Sequence, residues 1–227
     1  HVVLCNSEGN PGKEAAYIKK LIPDVDGFLI CPVYCAGGTS PGMKLILEKE
    51  VNCVFIASLP TRREIKGIPC VVPDDVQGGY LSTRHLIEMG YTKILFLSVK
   101  GFLNRGEIHD RFSGYRNALS EAGIPFRREW MIEATNLDPL NGYRQDGYLA
   151  TETILPMIEE RTALFSIGDS LAIGMLKGLR EKKIRVPDRV GVCGYDNIDL
   201  ASQWGVDLAT VAHPIALMGE KSMEILF

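Results

Sequence analysis

Short, almost continuously apolar runs alternate with helix-period segments along most of this chain. Six such runs are predicted to be strands, at residues 2–5, 27–31, 53–57, 94–98, 163–167 and 190–194. Runs that are apolar at every position, rather than at every second one, are typical of parallel strands covered on both faces. Alternation of such strands with helices predicts an α/β fold with right-handed crossovers.

Three segments have the residue spacing of amphipathic helices. They are residues 76–89, 112–122 and 170–182. Asp74 or Asp75 stands where the first helix needs an N-cap, and Asp169 stands there for the third. Gly90 and Gly123 follow the first and second helices, as expected for helix ends.

The composition allows one large core or two modest cores, since 46% of the 227 residues are hydrophobic. A formal net charge of −3 gives no basic surplus for nucleic-acid binding by these residues themselves. No apolar run approaches the roughly 18 residues of a membrane span, and the first residues are not a signal peptide. Because the chain opens inside a strand-like run, we expect it to be a piece of a longer protein.

The cysteines indicate a reducing compartment rather than a metal site. All six except Cys35 lie in or beside apolar runs, where a thiol behaves as a small hydrophobic group. Cys31 and Cys35 have no second Cys/His pair at zinc spacing. No Gly-rich phosphate or dinucleotide loop occurs in the sequence. We therefore expect no metal, no cofactor and a cytoplasmic protein.

The turn after the last predicted strand is the best candidate for a binding site. Residues 190–194 lead into Tyr195, Asp196 and Asn197, so Asp196 lies at the carboxyl end of a buried strand. Ligands of open parallel sheets bind outside these strand ends, and a carboxylate can accept hydrogen bonds from two ligand hydroxyls. The alternative is that Asp196 only caps residues 197–199.

Five short sequence motifs follow one another along the chain. They are Asp74-Asp75-Val76-Gln77-Gly78-Gly79, Arg111-Phe112-Ser113-Gly114-Tyr115, Gly168-Asp169 with Ala172 and Gly174, Gly194-Tyr195-Asp196-Asn197, and Thr210-Val211-Ala212-His213-Pro214. Together they resemble the effector-binding domain of the LacI/GalR family of bacterial transcription regulators. The resemblance implies two similar α/β lobes with parallel sheets, periplasmic-binding-protein-like, with a ligand cleft between them.

The resemblance also implies how the chain is divided. Residues 1–89 with 214–227 would form an incomplete N-terminal lobe, and residues 90–213 the C-terminal lobe. The family's first strand and helix and its final strands are missing from the sequence, and a DNA-binding head would lie upstream of it. A homodimer is implied, through first-lobe helices such as those following Cys5 and Gly42.

Arg111 is the most specific ligand contact that the resemblance implies. Its guanidinium presents donors in a fixed fork that suits vicinal sugar hydroxyls, although an ion pair with Asp110 or Glu107 is the alternative. Gln77 matches the position from which family members reach the ligand from the first lobe. His109 is implied as an auxiliary contact, and Tyr143 as an aromatic that stacks on the ligand.

At two further positions, 168 and 213, this chain has a residue that differs from the one usual in the family. Gly168 stands where the family has an Asn that bonds the ligand, which implies a different or bulkier ligand there, or a contact from Asp169. Asp169 could equally be only a cap. His213 takes the place of a Gln or other polar residue at the hinge crossing, so either a ligand contact or a structural role is open to it.

These features favour the sugar-binding, dimerising core of a repressor that reads operator DNA through its head. The loop between Cys31 and Pro41 resembles that of the arabinose-repressor branch, which carries a GntR-type head and implies a pentose. The alternative is an exported sugar-binding protein of a transport system. An enzyme is not expected, because no nucleophile–base pair, metal cluster or cofactor loop is present.

Overall fold

The computed structural model describes residues 1–33, 40–57, 67–101, 106–135, 143–203 and 205–227. Its contacts divide the chain into two units, His1–Pro73 with Pro214–Phe227, and Asp74–His213. The helix that begins at Asp75 therefore belongs to the second unit, whereas the sequence analysis assigned it to the first lobe. The lobe boundaries themselves stay a prediction.

The first unit has a parallel sheet in the order β1-β2-β3. Its strands are β1 (Phe28–Ile30), β2 (Cys53–Ile56) and β3 (Cys70–Val71). Its helices in the described chain are α1 (Pro11–Leu21), α2 (Pro41–Lys49) and α7 (Ile215–Leu226). A small core forms from Ile18, Ile30, Met43, Ile46, Cys53 and Phe55.

The strand predicted at residues 2–5 is wrong. The segment pairs with no strand in the described chain, and Val2 and Leu4 are 91% and 93% exposed. An apolar run becomes a strand only when a neighbouring strand receives its hydrogen bonds. Residues 37–39 of the glycine-rich run before α2 lie outside the described residues.

The second unit has a parallel five-stranded sheet in the order β5-β4-β6-β7-β8. Its strands are β4 (Lys93–Val99), β5 (Met131–Ala134), β6 (Thr162–Ser166), β7 (Gly191–Asp196) and β8 (Ala209–Ala212). Its helices in the described chain are α3 (Asp75–Glu88), α4 (Gly106–Glu121), α5 (Arg144–Ile154) and α6 (Asp169–Glu181). The predicted α/β fold with parallel sheets is confirmed.

The central strands of this sheet are buried on both faces, as their continuous apolar sequence predicted. Phe96 of β4 lies beside Phe165 of β6, which in turn lies beside Cys193 of β7. The first two side chains are 0% exposed and Cys193 is 3% exposed. The rings of Phe96 and Phe165 meet edge to face, with their centroids 5.4 Å apart.

Glycines bring the helices of this unit into close contact. A Cβ at Gly79 of α3 would lie 2.0 Å from the carbonyl oxygen of Arg111, and one at Gly114 of α4 would lie 2.0 Å from that of Val76. The α5–α6 pair repeats the arrangement through Gly147 and Gly174. The α3–α4 crossing brings the backbone of Arg111 against the first turns of α3.

Candidate functional site

Polar side chains gather at the carboxyl ends of three neighbouring strands of the second unit. Gly168 and Asp169 follow β6, Asp196 ends β7, and His213 follows β8. Arg111, from the second turn of α4, extends to the same place, because its NH1 group donates to the carbonyl oxygen of Ile167. The strand ends and the helix crossing therefore converge on one cluster.

Arg111 is the centre of this cluster and is almost completely buried. Its Nε donates to Oδ1 of Asp75 at 2.8 Å, and its NH1 lies 3.7 Å from Oδ1 of Asp196. Its guanidinium carbon lies 3.8 Å above the centre of the Tyr195 ring. An ion pair, a carbonyl and an aromatic face together fix the plane of the guanidinium.

Asp75 and Tyr195 support Arg111 from below. Asp74 caps α3 by accepting from the Gln77 N–H at 2.9 Å, so the neighbouring Asp75 is not needed as the cap. Oδ1 of Asp75 also accepts from the Tyr195 hydroxyl at 3.1 Å. Burial raises the pKa of Asp75, while the charge of Arg111 acts in the opposite direction. Burial also raises the pKa of Tyr195, which keeps its hydroxyl a donor.

Asp196 and His213 form the more open side of the cluster. Nε2 of His213 lies 3.1 Å from Oδ1 of Asp196 and 3.4 Å from NH2 of Arg111. A protonated Nε2 donates to Asp196, whereas an unprotonated Nε2 accepts from Arg111. The ring nitrogen therefore faces one acceptor and one donor.

Asp196 itself has an unusual backbone. Its φ is +106°, and that of the following Asn197 is +54°. Residues other than glycine adopt such conformations at a cost of about 1–3 kcal/mol, and they are concentrated at ligand-binding sites. The predicted alternative, in which Asp196 caps residues 197–199, has no support here, because its Oδ1 faces Arg111 and His213.

Asp169 lies beneath the cluster that contains Asp196 and His213, and it is 0% exposed. Its Oδ2 accepts from the Ile198 N–H at 2.9 Å, and its Oδ1 accepts from the Thr210 hydroxyl at 2.7 Å. The N-cap of α6 is Gly168, so Asp169 joins the segment after β7 to β8 rather than capping its own helix. Burial raises its pKa, against the opposing effect of these hydrogen bonds.

The other predicted contacts lie elsewhere on this unit. Gln77 is exposed in the first turn of α3, and His109 is exposed on α4 with Nδ1 3.7 Å from Asp110. Tyr143 precedes α5 with a φ of +64° and packs against the core. Among the described residues, no hydrogen bond or ion pair joins the side chains of Gln77 or His109 to Arg111, Asp196 or His213. The structure thus brings together three of the seven predicted contacts, and Asp169 lies directly beneath them.

Sequence reasoning missed Asp75 and Tyr195 as partners of Arg111. It paired Arg111 with Asp110 or Glu107 as the alternative, whereas its carboxylate partners are Asp75 and Asp196. One signal was available, because a helix needs a single N-cap and Asp74 already supplies it. An adjacent second aspartate at the start of a buried helix needs a cation.

The described residues contain neither a metal-ligand cluster nor a membrane-spanning helix. They contain no group of three or more His, Cys, Asp or Glu side chains placed to hold a metal ion. None of their helices is both long enough and apolar enough to cross a bilayer.

Known proteins resemble this chain over almost its whole length. The model of the periplasmic binding protein-like domain matches residues 83–227. The HTH-type transcriptional repressor PurR of Vibrio atlanticus is 34% identical over 226 residues, which cover 99% of this chain and 64% of the relative. The PurR repressor of Vibrio cholerae is 31% identical, and 63% of its length is covered. The chain therefore spans a little under two thirds of these relatives.

Solved structures have the same fold. A LacI family transcriptional regulator from Enterococcus faecium, with bound ribose, superposes with a TM-score of 0.76 at 27% identity, covering 99% of this chain and 76% of that one. The regulator CcpA of Lactococcus lactis superposes with a TM-score of 0.80 at 24% identity, covering 99% and 77%. At that identity CcpA supports the fold alone.

These relatives are transcriptional repressors and regulators rather than enzymes, as the sequence analysis expected. The match to the family model covers more than half of the chain and includes β4 to β8 with the strand ends that carry the cluster. This chain belongs to the family of periplasmic binding protein-like domains and has LacI-family repressors among its homologues.

Proposed function

We propose that this chain is the effector-binding part of a LacI/GalR-type transcriptional repressor. Its effector is a small polyhydroxylated molecule, with a pentose as the first candidate. The observation that carries the proposal is the conformation of Asp196 and the contacts of its carboxylate. It is held in a strained conformation at a strand end, with one oxygen directed to His213 and Arg111 and the other left without a partner among the described residues.

The cluster offers the groups that a sugar requires. A hydroxyl is both donor and acceptor, so it can donate to Asp196 while accepting from the guanidinium of Arg111. His213 can serve either role, depending on which of its nitrogens carries the hydrogen. Asp169 acts through the segment that it anchors, and Gln77, His109 and Tyr143 stay proposed as secondary contacts.

A pentose is the first candidate for two independent reasons. The resemblance of the loop between Cys31 and Pro41 to the arabinose-repressor branch implies one, and the Enterococcus faecium relative was solved with bound ribose. Nucleobases are the next class to examine, because their ring N–H and carbonyl groups present comparable donor and acceptor edges. The arabinose-repressor branch stays a finer proposal, since residues 34–39 of its characteristic loop lie outside the described residues.

The whole protein would act as a cytoplasmic homodimer that binds operator DNA through a head not contained in this sequence. An effector regulates such a protein only if it binds one of its conformations better than another. The exported sugar-binding protein is less favoured, because the curated relatives reported above are repressors.

A thermal-shift screen tests this function. The panel comprises pentoses, hexoses, disaccharides, their phosphates, and nucleobases with their nucleosides. A ligand that binds only the folded chain, present at about 100 times its Kd, stabilises it by about 2.7 kcal/mol and raises Tm. A shift with a pentose supports the proposal in full. If only nucleobases raise Tm, the effector is a nucleobase rather than a sugar. If no compound of the panel raises the Tm of a folded sample, effector binding at this cluster is refuted.

A further inference from the structure

Gly168 occupies the N-cap of α6, at the end of β6 and directly before the buried Asp169. Its φ of −165° and ψ of 152° are those of an extended backbone, which any residue can adopt. Ser, Thr, Asp and Asn usually stabilise this position through a side-chain hydrogen bond, and α6 has no such cap. The helix that begins here therefore does not require a glycine.

Packing leaves room for a side chain if the carboxylate of Asp196 moves by a few tenths of an ångström. Apart from its two chain neighbours, a Cβ at Gly168 would have one heavy-atom neighbour within 4 Å among the described residues, Oδ2 of Asp196 at 3.2 Å. The glycines that the fold requires are different, because a Cβ at Gly174 or Gly194 would lie 1.9 Å or 2.1 Å from another group. Because Gly168 has no side chain, one carboxylate oxygen of Asp196, Oδ2, stays accessible.

That oxygen is the one that Asp196 leaves without a hydrogen bond among the described residues. Oδ1 lies 3.1 Å from Nε2 of His213 and 3.7 Å from NH1 of Arg111. Oδ2 has no hydrogen bond to any residue that the structure describes, and the side chain is 35% exposed. A side chain at position 168 would cover Oδ2, and a Ser or Asn there would also donate to it.

We infer that Gly168 determines specificity by keeping Oδ2 of Asp196 accessible to the ligand. A hydroxyl or N–H group of the ligand donates to Oδ2, and the atoms that carry this group lie against the Cα of Gly168. The inference rests on the proposed function and adds the shape of the ligand to it. The ligand is bulky beside its donor group, because it fills the volume that a side chain would otherwise take.

The test compares Gly168→Ala and Gly168→Ser with the parent, using D-ribose first and then the compounds of the screening panel. Gly12→Ala is the matched control. Gly12 lies in the first turn of α1, and a Cβ there would have one comparable neighbour in the described chain, Oδ1 of Asn10, also at 3.2 Å.

We expect ligand-free Gly168→Ser to melt within about 2 °C of the parent or above it, because serine is at least as good an N-cap. Its affinity for the compound that shifts the parent should fall about tenfold or more, through the lost hydrogen bond and the lost space. Gly168→Ala should lose affinity by the steric effect alone. Gly12→Ala should stay within about twofold of the parent affinity.

Two results would overturn the inference. If ligand-free Gly168→Ser melts far below the parent, the glycine serves the fold. If both variants at position 168 bind as tightly as the parent, the space beside Asp196 is not used by the ligand. Failure of the proposed function is recognised separately, because then no compound shifts the parent, and the inference fails with it.

Discussion

At the scale of single residues, the orientation of Arg111 depends on Asp75 and Tyr195, which lie beneath it. Removing the Tyr195 hydroxyl deletes one hydrogen bond to Asp75, whereas Asp75→Asn deletes the nearer of the two carboxylates that balance Arg111. We expect Tyr195→Phe to cost about 1 kcal/mol of unfolding free energy. Asp75→Asn should cost about 3–5 kcal/mol, because it breaks the buried ion pair and leaves Arg111 only the more distant Asp196.

Tyr115→Phe is the matched control for that pair of variants. It removes another buried phenol hydroxyl, which donates to the Ile94 carbonyl at 2.8 Å, away from the cluster. Denaturant titration should give a similar loss of stability for Tyr195→Phe and Tyr115→Phe. Ligand titration should show weaker binding for Tyr195→Phe alone. Equal binding by both would mean that Tyr195 does not position Arg111.

Asp169 gives a pH dependence whose sign can be predicted. Burial raises its pKa in the folded chain above the ordinary value of 3.8, so the folded chain holds the proton more tightly than the unfolded chain does. The stabilising contribution is therefore fully present below the ordinary value and is lost as pH rises through the folded value. The parent should gain stability relative to Asp169→Asn as pH falls from about 7 to about 4.

Denaturant melts across that pH range measure the effect. Asp188→Asn is the control for loss of a carboxylate, since Asp188 is 60% exposed and lies 3.4 Å from Arg185. A parent that loses stability relative to Asp169→Asn on acidification would show that Asp169 is favoured in its charged form by the folded chain.

The sequence predicted Arg111, Asp196 and His213 as ligand contacts, because each belongs to a short motif that can be recognised without a structure. It did not predict their neighbours. Asp75 and Arg111 are separated by 36 residues, and their contact depends on how α3 crosses α4. A periodicity argument identifies both helices but says nothing about which residues of the two helices meet.

At the scale of elements, the α3–α4 crossing depends on Gly79. Alanine normally improves a helix interior by about 1 kcal/mol over glycine, but at Gly79 its Cβ would lie 2.0 Å from the Arg111 carbonyl. We expect Gly79→Ala to destabilise the protein by about 1–3 kcal/mol, because the two helices must move apart.

Gly219→Ala should have the opposite sign. Gly219 lies inside α7, and a Cβ there would have no neighbour within 4 Å among the described residues outside its own helix backbone, so the gain in helix propensity should remain. Thermal melts of both variants measure the difference. An increase in Tm for Gly79→Ala would contradict the tight crossing and, with it, the position of Arg111 against α3.

The sequence predicted the buried elements far better than the edge elements. β4, β6 and β7 are continuously apolar because helices cover both faces, and a continuous apolar run can be recognised in the sequence alone. β3 has two residues and β5 contains an exposed Glu133, so neither has a distinctive pattern. The false strand at residues 2–5 shows the converse, since an apolar run without a partner strand stays unpaired.

At the scale of the whole molecule, the second unit is one continuous stretch of chain, Asp74–His213, and contains the entire Arg111 cluster. The first unit needs two separate stretches. We therefore expect residues 74–213, expressed alone, to fold and to unfold cooperatively, with a helical and strand far-UV spectrum and dispersed amide resonances. A fragment without dispersion would mean that this unit depends on the remainder of the chain for its stability.

The central claim is that Asp196 binds the effector, and it is tested most directly by calorimetric titration of Asp196→Asn beside the parent. The ligand is D-ribose or the compound that gives the largest thermal shift. The substitution preserves shape and removes the charge, so Tm should change little, while Kd should rise about tenfold to a hundredfold. An Asp196→Asn protein that is folded and binds with the parent Kd would contradict the account.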